Sequence, residues 1–147
     1  MESLRIEDFR STDTETLVRM WRASFEHGVG IVDPHSLEEQ IEYLRTKVMP
    51  VHRVRVAKED ESIVGLLASN RESVAQLYVR VQNMGRGIGT QLLRLAQSES
   101  SGSLWLFTFA QNVRACRFYE HHGFVAVAFG VSPAPEREPD VEYRWVP

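Results

Sequence analysis

The sequence predicts an α/β fold, a mixed and mostly antiparallel sheet flanked by helices in the order βααβββαβαββ. Three observations carry this expectation. Two capping-box spacings near the N-terminus open segments of helical periodicity. From His52 onward the apolar period switches to two across three short runs. A glycine-rich segment then joins a strand-like run to an amphipathic helix.

Taken in order, SLRIEDF (residues 3–9) alternates apolar and polar residues and predicts a first strand. Thr12 and Glu15 have capping-box spacing, and Leu17, Met20, Trp21 and Phe25 recur at helical intervals until Gly28 stops the pattern. Ser36 with Glu39 opens a second helix through Leu37, Ile41 and Leu44, which ends before Pro50. HRVRVA, IVGLLAS and VAQLYVRV, separated by KEDES and by a break around Asn70 to Glu72, predict an antiparallel meander. Ile88, Leu92, Leu93, Leu95 and Ala96 mark a helix that runs out into ESSGS. LWLFTF (residues 104–109) is apolar throughout and predicts a strand buried on both faces. Asn112 to His122 reads as a helix closed by Gly123, followed by the strands FVAVAF and VEYRWV with the proline-rich loop SPAPEREPD between them.

A chain of 147 residues suits one domain, spanning residues 1–147, and can bury a substantial core. With 43% hydrophobic and 25% charged residues it is ordinary globular material, and its apolar runs are too short to cross a bilayer. No membrane partner is expected. The opening MESLRIEDFR has neither a basic leader nor an apolar signal core, so the expected compartment is the cytoplasm. Cys116 is the single cysteine, which excludes both an intrachain disulfide and a cysteine-cluster zinc site. A net charge of −3 without a block of Lys or Arg argues against nucleic acid.

The segment VRVQNMGRGIGTQLL (residues 79–93) places Gly85, Gly87 and Gly89 between a strand and a helix. The first amides of a helix lack intrahelical acceptors and carry partial positive charge, so such a junction suits an anion. Glycine lets those amides approach a ligand with no Cβ in the way. The plainer reading is a tight turn that binds nothing. A P-loop is excluded because the segment has no lysine, and a dinucleotide fingerprint is disfavoured because the spacing is GxGxG.

A second constellation is NVRACRFYEHHGF (residues 112–124). Asn112 and Tyr119 stand seven apart, so they share a helix face with Ala115 between them, which makes a groove. Alternatively, Phe118 and Tyr119 are simply core anchors.

Together the strand LYV, the loop GRGIG, the helix TQLL, the strand LWLF and the helix NxxAxxFYExxGF resemble the GNAT superfamily of N-acetyltransferases, and the closing EPDVEYRW looks like the last strand of small bacterial members. The resemblance accounts for essentially the whole chain and implies a GNAT-like acyl-CoA N-acyltransferase fold. It implies an acetyl-CoA-dependent N-acetyltransferase in which a primary amine attacks the thioester directly. Acetyl-CoA or coenzyme A is then a co-substrate, with no metal. The amides from Met84 through Gly85, Arg86, Gly87, Ile88, Gly89 and Thr90 would cradle the pyrophosphate. Leu77, Tyr78 and Val79 would line the pantetheine arm where two neighbouring strands splay apart. Asn112 and Ala115 would contact the cofactor arm, and Tyr119 would protonate the departing thiolate. The alternative is a weak or inactive CoA-binding relative, because Met84 replaces the family's usual Gln or Arg and Ala75 stands where relatives tend to carry an acid.

Glu72 is the nearest carboxylate in sequence to the missing acid and reads as a solvated strand end. Cys116 reads as a small buried helix residue rather than a nucleophile. His121 and His122, being adjacent, lack helical zinc spacing and read as partners of the helix C-terminus. His27, Asp33, His35, Glu39 and Tyr43 fall where the family builds its acceptor wall, and each reads as surface. The acceptor is a small-molecule or peptide amine, and the final strand can pair across a homodimer.

Overall fold

The computed structural model describes residues 4–147, so Ser3 of the predicted first strand lies outside it, as do Met1 and Glu2. Strand β1 (Leu4–Asp8) leads through a short turn into helix α1 (Thr14–Val29) and then α2 (Leu37–Tyr43). The meander follows as β2 (Arg53–Glu59), β3 (Ser62–Ser69) and β4 (Val74–Val79). Helix α3 (Ile88–Glu99), strand β5 (Leu104–Phe109), helix α4 (Val113–His121) and strands β6 (Val125–Val131) and β7 (Pro139–Trp145) complete the predicted order. No helix among the described residues is long and apolar enough to cross a membrane.

The strands form two antiparallel sheets, β1-β2-β3-β4 and β5-β7-β6. The described connection between them is one parallel bridge, Ser73 with Trp105, at the start of β4 and β5. The mixed character of the sheet therefore resides at that junction.

Helices cover both faces of the first sheet. Leu17, Val18, Met20 and Trp21 of α1, with Leu44 and Val48 after α2, pack on Val56, Ile63 and Leu66. On the other face, Ile88, Leu92, Leu93 and Ala96 of α3 and Tyr119 of α4 pack on Ala57, Val64, Leu67, Leu104, Leu106 and Tyr143. Central strands flanked in this way bury both sets of alternating side chains, as β2 and β3 do.

Three details depart from the sequence reading. The Thr12 and Glu15 box does not form; a 3₁₀ turn over Ser11–Asp13 precedes α1, and Thr14 Oγ1 donates to the Ser11 carbonyl at 2.7 Å. Gly28 does not stop α1, which runs to Val29 and closes at Gly30 with φ of 85°. The reason for a glycine at 28 is spatial: a Cβ there would sit 2.5 Å from Asn112 Nδ2, so the missing side chain admits the start of α4. Finally, β5 is not buried on both faces, since Trp105 is 37% and Phe107 55% exposed while Leu104 and Leu106 are buried. On that face α1 reaches only the end of the strand, where Phe25 meets Phe109 with ring centroids 5.5 Å apart, while Trp105 and Phe107 line a cavity. The second box behaves as predicted, with Glu39 N–H donating to Ser36 Oγ and Ser36 N–H to Glu39 Oε1.

Candidate active site

Strand β4 is where the site begins. In its pairing with β3, Gln76 faces Ala68 and Val74 faces Ser69, so Ala75 is an extra, bulged residue. Arg80 N–H donates to the Val64 carbonyl at 2.8 Å. By the alternation of an antiparallel ladder, the amides of Gln76 and Tyr78 also face β3, whereas those of Leu77 and Val79 face the opposite side. The Val79 carbonyl points that way too, and Ser24 Oγ of α1 donates to it at 2.9 Å.

On that side β4 and β5 part company. Trp105 N–H donates to the Glu72 carbonyl at 3.0 Å where the strands begin together. Further along they diverge around a cavity of about 1260 Å³. Leu77, Tyr78, Val79, Met84, Gly85, Gly87, Ile88, Gly89, Thr90, Asn112, Ala115 and Tyr119 all line it. Arg86 does not; it is exposed on the outer side of the loop.

At one end the glycine loop makes the N-terminus of α3. Gly85 and Gly87 have φ of 82° and 84°, in the left-handed region where a side chain is strained. Gln91 N–H donating to the Gly87 carbonyl at 3.1 Å begins the helical series, which leaves the amides of Ile88, Gly89 and Thr90 without helical acceptors. Gly89 has a different role, since a Cβ there would meet Phe118 Cζ at 3.3 Å. Arg114 of α4 also lines the cavity, and its Nη2 lies 3.8 Å from where a Cβ on Gly85 would be. Sequence reasoning missed this cation; its only trace there is its place next to Ala115, inside the stretch already singled out.

Asn112 caps α4, its Oδ1 accepting from the Ala115 amide at 3.1 Å, and its Nδ2 end reaches the gap at Gly28. Tyr119 is buried among Phe118, Phe124 and Tyr143, with ring centroids 5.3, 5.6 and 6.1 Å away. Burial pushes its phenol well above the usual tyrosine range, with the Tyr78 and Cys116 groups adding to the effect. The Tyr119 hydroxyl makes no hydrogen bond among the described residues, and the residue contributes to the cavity lining.

At the other end, His27, Asp33, His35 and Tyr43 line the cavity; His27 and Tyr43 are exposed as expected, His35 is half-buried, and only Asp33 departs from the surface reading by being buried. The Asp33 side chain is 4% exposed. It is drawn inward because its own N–H donates to Glu26 Oε2 at 2.8 Å and its Oδ1 accepts the His35 amide at 2.9 Å. Glu39 is occupied by its helix cap and lies off the cavity, as does the exposed Glu72. Cys116 Sγ points to the Phe109 carbonyl at 3.8 Å, at the edge of the core. Desolvation first, then the charges of His121 and Arg94, lower the pKa of His122, and its Nε2 contacts Thr90 Oγ1 at 3.2 Å. Among the described residues no group of three metal-ligating side chains occurs.

An α/β sandwich whose strands part around a cleft, with a helix N-terminus at its mouth, presents open backbone amides beside a free strand edge, the chemistry of an anion site. Residues 50–126 match the family model described as the acetyltransferase (GNAT) domain, more than half the chain, and the protein belongs to that family. YjaB from Escherichia coli, solved in its apo form, superposes with a TM-score of 0.80 at 22% identity, covering 98% of both chains. The PaiA N-acetyltransferase from Thermoplasma acidophilum, solved with coenzyme A, gives 0.74 at 18% identity over 99% of both chains. YncA from Salmonella typhimurium, solved with acetyl-CoA, gives 0.72 at 14% identity over 97% of this chain and 93% of that one. At these identities the likeness is one of fold. No curated protein matches the chain in sequence.

Proposed function

We propose that the protein moves an acetyl group from acetyl-CoA to a primary amine of a small molecule or peptide, by direct attack on the thioester, and that residues 1–147 form one domain for this purpose. The observation that carries the reading is the cleft between β4 and β5, with amides open along one wall and Tyr119, whose hydroxyl is unpartnered among the described residues, in its lining. PaiA and YncA, which share the fold, are solved with coenzyme A and acetyl-CoA.

The residues present fit such a carrier. The amides of Ile88, Gly89 and Thr90 suit a pyrophosphate, and Arg114 supplies a full positive charge beside them. The loss of a Gln or Arg at Met84 is thereby offset from α4. The Leu77 and Val79 amides can pair with the amide-rich arm as a neighbouring strand would. An amide beside the bulge at Ala75 can donate to the acetyl carbonyl, which accumulates negative charge during attack. Ser24 already holds the Val79 carbonyl and so fixes the orientation of that wall.

In the transfer itself, the amine nitrogen bonds to the acetyl carbon as the carbon–sulfur bond breaks. Tyr119 gives its proton to the departing sulfur, and the proton lost by the amine passes to water and restores the phenol. Burial keeps Tyr119 protonated beforehand, and the same apolar surroundings raise the proton affinity of a thiolate formed beside it.

The test has two stages. Coenzyme A should raise the melting temperature where ATP and NAD at equal concentration do not. Release of free CoA thiol should then be seen with at least one amine of a broad panel. Absence of a CoA shift overturns the reading, whereas a shift without turnover on any amine leaves the non-catalytic CoA-binding relative in its place.

A further inference from the structure

Beyond the bulge of β4 the cavity continues into a compartment between α1, the loop that follows it and the turn joining β6 to β7. Its charge is one-sided. Asp33 Oδ1 accepts the His35 amide, while Oδ2 takes no hydrogen bond among the described residues. The Glu136 side chain is 17% exposed, and its Oε1 meets His35 Nε2 at 2.5 Å. Glu26, off the cavity, holds the Asp33 amide. Arg22 donates to the His35 carbonyl at 2.6 Å and to Gln40 Oε1 at 3.1 Å and lies 3.9 Å from Asp33 Oδ1. Two carboxylates, Asp33 and Glu136, thus line the compartment against the one guanidinium of Arg22.

The same compartment is aromatic. The Trp21 ring lies 6.5 Å from both Tyr43 and Tyr78, at angles of 53° and 37°. The Tyr78 phenol is raised well above its ordinary value, chiefly by burial and then by the charges of Asp33 and Glu136, which places both carboxylates near it.

The Asp33 and Glu136 carboxylates suit a cation that stays charged throughout. Aromatic faces next to carboxylates favour the same kind of group.

We propose that the acceptor is a small dicationic amine, a linear diamine or polyamine, whose distal ammonium sits between Asp33, Glu136 and the rings of Trp21, Tyr43 and Tyr78. Its other amine, having lost its proton to water, reaches the bulge of β4 and takes the acetyl group, with free coenzyme A as the second product. The inference rests on the acetyl-transfer reading above and specifies its acceptor.

The experiment compares 1,4-diaminobutane, spermidine, n-butylamine and 4-aminobutyrate as acceptors at pH 8, following CoA thiol release. The diamine or spermidine should exceed n-butylamine in kcat/KM by about thirtyfold or more, and 4-aminobutyrate should be poorer still. Asp33→Asn and Glu136→Gln, two variants in different loops, should each narrow that ratio through KM. Turnover with n-butylamine or 4-aminobutyrate equal to that of the diamine overturns the proposal and leaves acetyl transfer standing. Calorimetric titration of the CoA-loaded protein with 1,4-diaminobutane and n-butylamine provides the second readout, free of catalysis. Failure of the diamine to bind more tightly there also overturns it, whatever the turnover.

Discussion

Replacing Tyr119 by Phe removes one oxygen and nothing else. The Tyr119 ring is held by Phe118, Phe124 and Tyr143 at 5.3 to 6.1 Å, and its hydroxyl supports no hydrogen bond among the described residues. Loss of an unpartnered hydroxyl from an otherwise intact aromatic cluster should change stability by no more than about 1 kcal/mol. Loss of a general acid, in contrast, costs about a hundredfold to ten-thousandfold in rate, or about 3 to 5 kcal/mol of barrier. The two effects are well separated, so kcat for acetyl transfer and the melting temperature are measured on the same preparation. The expected result is a kcat reduced by about a hundredfold or more, with KM for acetyl-CoA within about threefold of the parent. A kcat within a factor of about two would refute the assignment of Tyr119 as the proton donor. A fall in kcat matched by a large drop in melting temperature would refute the claim that the hydroxyl is structurally idle.

Gly87→Ala forces a side chain onto φ of 84° with open space around it, so it should cost about 1 to 2 kcal/mol by chemical denaturation and weaken CoA binding through the loop's shape. Gly89→Ala should weaken CoA binding in a calorimetric titration by a different route, since its Cβ must displace Phe118 from 3.3 Å. Arg114→Gln should lower CoA affinity about tenfold and flatten its dependence on salt, measured by thermal shift at two ionic strengths. Arg55, a buried residue of β2, is paired to Glu99 through both terminal guanidinium nitrogens, so Glu99→Gln should destabilise by about 1 to 3 kcal/mol, discounted for the partial exposure of Glu99. The Arg55 hydrogen bond holds the Glu99 carboxyl below its usual value. This contribution is therefore present above the unfolded carboxylate pKa of about 4.3 and disappears as pH falls through the lower folded value, a slope the variant should lack in acid titration. With Ala75 at the bulge, kcat/KM should follow the acceptor's own ionisation, so acceptors of different pKa should shift the inflection of the pH profile; a fixed inflection near about 6.5 would point to a histidine base.

The cofactor end of the cleft is legible in the sequence because it is built from backbone. An anion cradle needs glycines at the left-handed positions 85 and 87, a helix start behind them and a capping residue such as Asn112, and each leaves a local mark. The acceptor end leaves none. His35 and Glu136 meet across 101 residues of chain, and Asp33 is turned inward by a bond from its own amide to Glu26, which no periodicity reports. LWLFTF misleads for a related reason: an apolar run shows that side chains are apolar, not how many layers cover them, and no helix covers Trp105 and Phe107. Gly28 likewise reads as a helix stop because its cause, the approach of Asn112, lies in tertiary structure.

The bulge at Ala75 connects these two ends. An uninterrupted β4 would continue the pairing begun at Ser73 and Trp105, and the two sheets would merge into one with no cleft between them. The extra residue turns the later part of the strand away, so that the Leu77 and Val79 amides lose a β5 partner and become available to a ligand. Such amides are costly to leave buried and unpaired, and Ser24 relieves part of that cost at the Val79 carbonyl. The same turn leaves Tyr78, on the opposite side of the strand, facing Trp21 and the carboxylates of the loops. On the proposed reading, one inserted residue thus produces a backbone surface for the donor and a side-chain surface for the acceptor on adjacent residues of a single strand. Because the first depends on main-chain geometry and the second on loop side chains, acceptor preference can change without disturbing the donor half.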